Sequence, residues 1–423
     1  MSILIKNGRV IDPHNDIDEI KDVYIDESGK ICDHVADAIV IDASGLWVVP
    51  GLVDLHAHFR DPGLTHKEDL HTGALAAVRG GFTTVCIMPN TLPSLDFFEL
   101  IKDICTRSAQ IGLAQIIPIA SITTGMKGEQ LTDFADLKEA GAIAFSEDGL
   151  TVKNAGLMMQ AFEKAQELDM PIFTHCEDVS IMQGGVMNSG KTAEKLGLAG
   201  IHPATEDVIV ARDIILAEHT GARVHICHVS TAGAVQAVRE AKARRVLVTA
   251  EVCPHHFILC DEDITAADSN FKMNPPLRSP ADVEAIKEGL RDGTIDAIAT
   301  DHAPHTESEK ARPFSEAPFG IVGLETALPL AMELIDEGIM SPSGLLELLS
   351  LGPSEILGID RGHLSKGALA NIAIIDPLAR YNINPANFAS KSKNTPFAGR
   401  SVKGKVVLTI VDGRIVYDNR QAD

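Results

Sequence analysis

The middle of the chain alternates short apolar runs with longer amphipathic segments. Each run of four to eight residues is followed by a segment of helical length and periodicity. This alternation is typical of parallel strands joined by crossover helices. Eight such runs occur, at residues 52–59, 83–88, 114–119, 142–145, 171–174, 223–227, 247–252 and 297–300. Eight strand–helix units favour a (β/α)8 TIM barrel over an open sheet.

Both ends of the chain have the pattern of short antiparallel strands. Apolar and polar positions alternate there, and turn residues interrupt them at Asn7-Gly8, Gly29 and Asp412-Gly413. The sequence therefore predicts an α/β protein with two domains. Residues 52–363 form the TIM barrel, and residues 1–51 plus 364–423 form a small β-sandwich domain built from both chain ends.

Composition narrows the class of partner. The chain of 423 residues has a formal net charge of −22 and 4% aromatic residues, so its average surface repels nucleic acid and anionic membranes. Seven cysteines, without a CxxC pair, indicate buried thiols in a reducing compartment. The first apolar run, Ile3 to Ile5, is too short for a signal peptide. We expect a cytoplasmic protein that acts on a small molecule.

Histidines and acids gather where the predicted strands end. His56 and His58 are two residues apart, so in a strand they project to the same side. Alone, this pair is equally well explained by hydrogen bonds to loops. His175, His228 and Asp301 end the fifth, sixth and eighth strands, however, and barrel closure brings those ends to one rim. This set predicts a metal site, with zinc as the first candidate.

The strand-end motifs also resemble a known family. GLVDLHAHFRDPG, IMPN, FSEDG, THCED, HICHVST, TAEVCPHH, FKMNPPLRS and IATDHAPH are similar, in order and spacing, to the metal-dependent amidohydrolases. Specifically, they resemble bacterial dihydroorotases of the longer type, from Leu4 to about Tyr417. The resemblance implies a zinc-dependent hydrolase of cyclic amides. Its reaction would be the reversible cyclisation of N-carbamoyl-L-aspartate to (S)-dihydroorotate in de novo pyrimidine (UMP) biosynthesis.

The resemblance also implies a binuclear zinc site. It assigns one metal to His56, His58 and Asp301, and the second to His175 and His228. Many relatives bridge their metals with a carboxylated lysine that ends strand four, whereas this chain has Asp148 there, which we expect to bridge directly. The alternative for Asp148 is a capping acid near Gly149. Lys153, five residues further on, is expected to be solvated.

Substrate binding requires local positive charge, because both dihydroorotate and carbamoyl aspartate carry carboxylates. Arg60 follows His58 by two residues and can present a planar fork to a carboxylate. The resemblance adds a set of contacts from His58, Asn90, Asn274 and His305 and from the backbone of Phe59, Phe319 and Gly320. Asp301 is the expected catalytic residue, which accepts a proton from metal-activated water and delivers it to the ring nitrogen.

Some alternatives remain open at this stage. The segment from Thr306 to Gly320 is either a loop that closes over the site or a static connection. A related activity, that of an allantoinase or dihydropyrimidinase, is disfavoured by Asp148 and Arg60. A non-catalytic scaffold homologue is disfavoured because all six ligand positions are filled. A homodimer and an association with a transcarbamoylase are expectations that the chain alone does not decide.

Overall fold

Strands run through the whole chain. In this computed structural model, residues 2–420 are described, and they form nineteen strands. In chain order these are β1 (Ser2–Asp12), β2 (Ile17–Ile25), β3 (Ile31–Cys32), β4 (Ala38–Asp42), β5 (Trp47–Pro50), β6 (Leu52–Ala57), β7 (Phe82–Ile87), β8 (Gln115–Pro118), β9 (Ala120–Ser121), β10 (Phe145–Ser146), β11 (Ile172–Thr174), β12 (Met187–Asn188), β13 (Gly200–Ile201), β14 (Val224–Ile226), β15 (Val248–Val252), β16 (Ala297–Ile298), β17 (Ile372–Asn382), β18 (Ser401–Val411) and β19 (Arg414–Asp418).

Helices occupy most of the connections between the strands of the middle region. They are α1 (Leu70–Arg79), α2 (Phe98–Ile111), α3 (Phe134–Ala140), α4 (Ala155–Glu167), α5 (Val179–Met182), α6 (Lys191–Leu196), α7 (Ala204–Thr220), α8 (Ala232–Ala243), α9 (Pro254–Ile258), α10 (Pro280–Arg291), α11 (Glu307–Lys310), α12 (Ala327–Ala331), α13 (Glu333–Asp336), α14 (Pro342–Leu346) and α15 (Gly352–Leu357). A π-helical turn, Glu347–Leu351, joins the last two. Among the described residues, no helix is both long and apolar enough to cross a bilayer.

The middle region closes into a barrel of parallel strands. β6, β7 and β8 pair in this order, and β9, β10, β11, β14, β15 and β16 form the other arc. β8 continues into β9 after one residue. A parallel bridge between Ala57 and His302, with the His58 backbone nitrogen 2.8 Å from the His302 carbonyl, closes the ring. Each of the eight predicted runs overlaps one of these strands, which confirms the TIM barrel.

The fourth predicted strand differs from the observed one. The sequence predicted residues 142–145, whereas β10 covers only Phe145–Ser146. Residues 142–144 are still bound to the neighbouring strand, because Ile143 donates to Pro118 O and Ala144 O accepts from Ala120. The pairing there is too irregular to form a regular ladder, and the strand proper begins closer to the site.

The β domain joins the two ends of the chain in one sheet. Its order is β19-β18-β17-β5-β1-β2-β3, and β4 adds to β1 in parallel. The ends meet where β5 pairs with β17, with Trp47 opposite Ile375. Buried residues from both ends, including Ile5 and Ile372, form its core. The β domain built from both chain ends is therefore confirmed. The limits at residues 51/52 and 363/364 stay predictions, and Met1 and residues 421–423 lie outside the described residues.

The barrel interior explains why the polar side chains sit at the strand ends. β6 and β7 are buried at every position, and an apolar layer inside the barrel includes Val53, Leu55 and Phe173. Such a layer excludes water, so a polar group there must find a partner. The chain places most of its chemistry one or two residues past the strands, at their carboxyl ends, where TIM barrels carry active sites.

Candidate metal centre and active site

Six side chains that the sequence predicted as metal ligands meet at the carboxyl ends of the barrel strands. His56 lies in β6, and the others follow β6, β10, β11, β14 and β16 by one to three residues; they are His58, Asp148, His175, His228 and Asp301. All six are at most 6% exposed. The structure thus brings the whole predicted set into one buried cluster.

Asp148 is the centre of this cluster. Its Oδ1 atom lies 3.3 Å from His56 Nε2 and 3.4 Å from both His175 Nδ1 and His228 Nε2. Its Oδ2 atom lies 3.4 Å from His58 Nε2. One carboxylate therefore faces histidines on both sides, which is the geometry expected of a bridging group. Lys153 is exposed, as the sequence predicted.

Asp301 lies beside the histidine pair of β6. Its Oδ1 atom is 3.1 Å from His58 Nε2 and 3.8 Å from His56 Nε2. On the other side of Asp148, His175 Nδ1 and His228 Nε2 are 3.0 Å apart. Two nitrogens at this distance cannot both carry a proton on the line between them, so at least one of them presents a lone pair.

The donor set fits a bound cation. Within residues 2–420, four buried polar atoms of the cluster lack a hydrogen-bond partner: His56 Nε2, Asp148 Oδ1, His175 Nε2 and His228 Nδ1. Buried polar atoms without partners are rare and costly, at about 1–3 kcal/mol each. Imidazole nitrogens and carboxylate oxygens are ligands that zinc and similar divalent metals accept. Two groups of three, His56 with His58 and Asp301, and His56 with Asp148 and His228, are compact enough to hold an ion.

Electrostatics support the same conclusion. Burial opposes ionisation of Asp148, yet the charge of His56 and the close ring nitrogens of His175 and His228 bring its pKa well below the ordinary value. Burial likewise opposes protonation of His175, yet the neighbouring carboxylates of Asp148 and Glu177 raise its pKa to about 10. The cluster thus attracts positive charge, which protons or metal ions can provide.

Three site residues adopt a left-handed backbone. The φ angles are 59° at Arg60, 35° at His228 and 45° at Asp301. A residue other than glycine pays about 1–3 kcal/mol for such a conformation. Each of these residues lies just past a strand, so the sharp turn directs its side chain back over the barrel mouth.

A buried glutamate that the sequence analysis missed contacts His56, one of the predicted metal ligands. Glu251 of β15 places Oε1 2.7 Å from His56 Nδ1 and Oε2 3.1 Å from His225 Nε2. His225 Nδ1 contacts Thr249 Oγ1 at 2.8 Å. The contact between Glu251 and His56 Nδ1 fixes the ring orientation of His56 and leaves its Nε2 free for a metal. The available signal was an acid within an apolar strand run.

The predicted substrate residues Arg60 and His305 lie together on one side of the site. Arg60 Nη2 is 3.3 Å from His305 Nε2, and Arg60 Nε donates to Pro304 O at 3.3 Å. His305 Nε2 also lies 2.8 Å from Phe319 O, and Lys67 Nζ is 3.5 Å from Nδ1. Phe319 O can only accept, so Nε2 carries the proton donated to it, Nδ1 accepts from Lys67, and the 3.3 Å contact between Nε2 and Arg60 Nη2 is not a hydrogen bond.

His305 is neutral, so it does not compensate the charge of the neighbouring Arg60, and the guanidinium of Arg60 can bind a ligand. Burial and the neighbouring cations Arg60, Lys67 and Lys310 lower the pKa of His305 far below its ordinary value. Arg60 is 9% exposed and has no carboxylate partner within 4 Å among residues 2–420. A buried guanidinium without an ion pair is poised to receive a carboxylate.

The remaining predicted contacts surround the cluster. Asn90 Oδ1 lies 2.8 Å from His58 Nδ1, and Asn274 Nδ2 donates to Glu177 Oε1 at 3.0 Å. The Phe59 side chain is buried against Gly73 of α1, so only its backbone can face a ligand. Gly320 has φ +122°, and a Cβ there would lie 2.6 Å from Ala303 Cβ, so no larger residue fits.

Comparison with known proteins identifies the family. The sequence matches the family described as Dihydro-orotase-like over residues 45–234 and the Amidohydrolase family over residues 152–417. The dihydroorotase of Pelotomaculum thermopropionicum is 53% identical and that of Pelobacter propionicus 48% identical. The first alignment covers 99% of both chains, and the second covers 99% of this chain and 100% of the relative.

Solved structures show the same fold at lower identity. The L-hydantoinase (dihydropyrimidinase) of Arthrobacter aurescens has a TM-score of 0.87 at 24% identity, covering 99% of this chain and 96% of that chain. The dihydropyrimidinase of Brevibacillus agri has a TM-score of 0.84 at 21% identity, covering 100% and 96%. These likenesses establish the architecture, whereas the sequence relatives establish the group: the chain belongs to the dihydroorotase family of the amidohydrolases.

Proposed function

We propose that this protein, a hydrolase acting on cyclic amides, interconverts N-carbamoyl-L-aspartate and (S)-dihydroorotate in pyrimidine biosynthesis. The observation that carries the proposal is the position of Arg60. This unpaired, buried guanidinium lies on the same rim as a cluster of four histidines and two aspartates. The rim thus combines a site for a divalent metal with a site for a carboxylate, and the substrate requires both.

The metal centre would contain two zinc ions. His56, His58 and Asp301 would hold one ion, His175 and His228 the other, and Asp148 would bridge them. When bound, the metals supply Lewis acidity and a water molecule whose pKa is lowered toward about 7. The unpartnered atoms His56 Nε2 and Asp148 Oδ1, which lie 3.3 Å apart, support this arrangement.

The chain's own residues carry out the proton transfer. Water adds to the ring carbonyl carbon, the carbon–nitrogen bond breaks, and one proton must move from the water to the departing nitrogen. Asp301 is suited to this role by its position in the cluster, and its neighbouring histidines lower its pKa and so keep the carboxylate ionised before a proton arrives. Its contact with His58 orients the carboxylate toward the rim.

Substrate orientation falls to the residues around Arg60. Arg60, Asn90, Asn274 and His305 would bind the carboxylate and ring, with the backbone of Phe59, Phe319 and Gly320 and the side chain of His58 completing the contacts. The net charge of the protein is −22, so this local positive group must overcome an unfavourable global field. A cytoplasmic location, a homodimer and an association with a transcarbamoylase stay predictions.

The test combines metal analysis with turnover. We expect about two zinc ions per chain and reaction in both directions between carbamoyl aspartate and dihydroorotate. Arg60→Met should keep the metal and lower kcat/KM by about a hundredfold, because a charge-assisted contact to the carboxylate is lost. Faster hydrolysis of a ring that lacks a carboxylate, such as dihydrouracil, would point to a dihydropyrimidinase instead. Metal-loaded protein that hydrolyses no ring would point to a scaffold homologue.

A further inference from the structure

The segment of residues 306–320 is held by a buried lysine that makes no ion pair among the described residues. Lys310, at the end of α11, is 6% exposed. Its Nζ donates to three backbone carbonyls, Gly320 O at 3.0 Å, Pro318 O at 3.1 Å and Lys272 O at 3.3 Å. A buried ammonium is costly unless its three donors are satisfied, so this cage specifies one backbone arrangement.

A second side chain reaches the same carbonyl from a different part of the chain. Asn394, between β17 and β18, is 5% exposed, and its Nδ2 donates to Gly320 O at 3.0 Å and to Ala303 O at 3.1 Å. Its Oδ1 accepts from the backbone nitrogen of His305 at 3.1 Å. Asn394 therefore ties the residues after β16 to the end of the 306–320 segment.

These contacts fix the Phe319–Gly320 peptide, whose backbone is a predicted contact of the substrate. The Gly320 carbonyl is saturated by Lys310 and Asn394, and the Gly320 nitrogen donates to Lys272 O at 2.9 Å. The preceding carbonyl, Phe319 O, accepts from His305. Much of the rest of the segment is exposed, including Arg312, Ser315 and Glu316. The position of the segment therefore depends on the hydrogen bonds of Lys310 and Asn394, together called the clamp, rather than on apolar packing alone.

We propose that Lys310 and Asn394 are positioning residues that hold the Phe319–Gly320 backbone against His305 in the conformation that binds substrate. Their contacts share one atom, the carbonyl oxygen of Gly320. The proposal rests on the proposed function, because Phe319, Gly320 and His305 are its substrate contacts. It describes the 306–320 segment as a static wall of the site that is held in place before the substrate arrives.

The experiment compares Lys310→Met, Asn394→Ala and the double variant with the unaltered protein. Met keeps the length of the lysine stem and removes the donors. Each single variant should raise KM for dihydroorotate about tenfold, the value of one hydrogen bond lost between the displaced wall and the substrate, with kcat changed less than about threefold. Zinc content should be unchanged. The double variant should lose less than the product of the single losses, because both residues share one acceptor.

Amide hydrogen exchange supplies a readout that is independent of turnover. Exchange in residues 306–320 should quicken in both single variants, whereas the barrel strands should keep their protection. Lys391→Met is the matched control, because the ammonium group of this nearby lysine binds Thr65 O and Asp69 rather than a carbonyl of the segment. It should leave KM and exchange unchanged.

The outcomes separate the clamp from the proposed function. Unchanged KM and exchange in Lys310→Met, or strictly multiplicative effects in the double variant, would overturn the shared clamp. A fall in zinc content or kcat with no change in KM would also contradict it, since that pattern indicates general structural damage. If Lys310→Met does not fold, Asn394→Ala still tests the clamp by KM and exchange. If the unaltered protein does not act on dihydroorotate, the proposed function fails, while the exchange arm still reports whether the clamp exists.

Discussion

His58 Nε2 and Asp301 Oδ1 lie 3.1 Å apart across the seam where the first and last barrel strands meet. The two residues belong to opposite ends of the barrel sequence, so only closure of the ring brings them together. This contact gives Asp301 a fixed orientation beside the predicted metals, as a group that accepts and returns a proton requires.

Asp301→Asn should therefore abolish proton transfer while preserving shape. The amide can still accept a hydrogen bond at Oδ1, but it cannot take a proton from water. We expect turnover to fall at least about a hundredfold in both directions. Zinc content must be measured in parallel, because Asp301 is also a predicted ligand. A variant with near-normal rates would contradict the assignment of Asp301 as the proton acceptor.

Glu251 should tune metal affinity although it is not a predicted ligand of either metal. Its carboxylate contacts His56 Nδ1 at 2.7 Å and His225 Nε2 at 3.1 Å, so it sets which His56 nitrogen faces the metal. Glu251→Gln replaces one acceptor with a donor, and one of the two imidazoles must then turn or lose its partner. Zinc affinity, measured by competition with a chelator, should fall about 10–100-fold.

The control for this measurement is Glu325→Gln. Glu325 is also largely buried, with a side chain 9% exposed, but it binds the backbone of Ala389 and Ser390 far along the chain. We expect its zinc affinity to equal that of the unaltered protein. An equal loss in both variants would mean that the effect of Glu251→Gln is a general loss of stability.

The ligand set was predictable from sequence because a barrel converts order along the chain into position on a rim. Each of His56, His175 and Asp301 lies at or just past an apolar strand run, so counting runs was enough to predict that they meet. Strand limits were less predictable, because a strand such as β10 begins where its pairing becomes regular rather than where the apolar run begins.

The supporting residues could not be predicted in the same way. Glu251 reaches His56 across 195 positions, and Asn394 reaches Ala303 across 91 positions. Such contacts depend on the exact packing of side chains, which no periodicity reports. Lys310 appeared within a charged stretch that is typical of a solvated loop, whereas the fold buries it among carbonyls. The sequence alternatives for that segment, a closing loop or a static connection, were open for this reason.

A buried acid outside the site should give the protein a measurable pH dependence of stability. Asp213 of α7 is 1% exposed, and burial raises its pKa to about 6 although Arg212 Nε donates to it at 2.8 Å. The unfolded value is near 3.8. Between about pH 4 and pH 6 the folded state therefore holds more protons than the unfolded state, so stability falls as pH rises.

Asp213→Asn should remove this loss of stability. At pH 7 to 8 we expect the variant to be more stable than the unaltered protein by up to about 3 kcal/mol, and the difference should shrink as pH falls through 6 toward 4. Denaturant unfolding across this range measures it. Both proteins have the same predicted metal ligands, so the difference between them isolates Asp213. A difference that grows toward low pH would contradict the raised pKa.

The identity of the bridging group makes a further prediction, about carbon dioxide. A lysine becomes an anionic bridge only after carboxylation, whereas Asp148 is an anion already. Its pKa is brought well below the ordinary value, against burial, by the charge of His56 and by the close ring nitrogens of His175 and His228. Assembly of the metal centre should therefore be independent of bicarbonate.

Apo-protein reconstituted with zinc in carbon-dioxide-free buffer should regain the same activity as protein reconstituted with bicarbonate. Asp148→Ala should lose zinc and activity in both buffers, because its removal leaves the facing nitrogens of His56, His175 and His228 without the anion between them. Lys153→Met is the matched control and should behave like the unaltered protein, since Lys153 is exposed. A bicarbonate requirement that disappears in Lys153→Met would instead identify a carboxylated lysine as the bridge, and it would remove the main chemical reason to separate this site from those of the hydantoinase-like relatives.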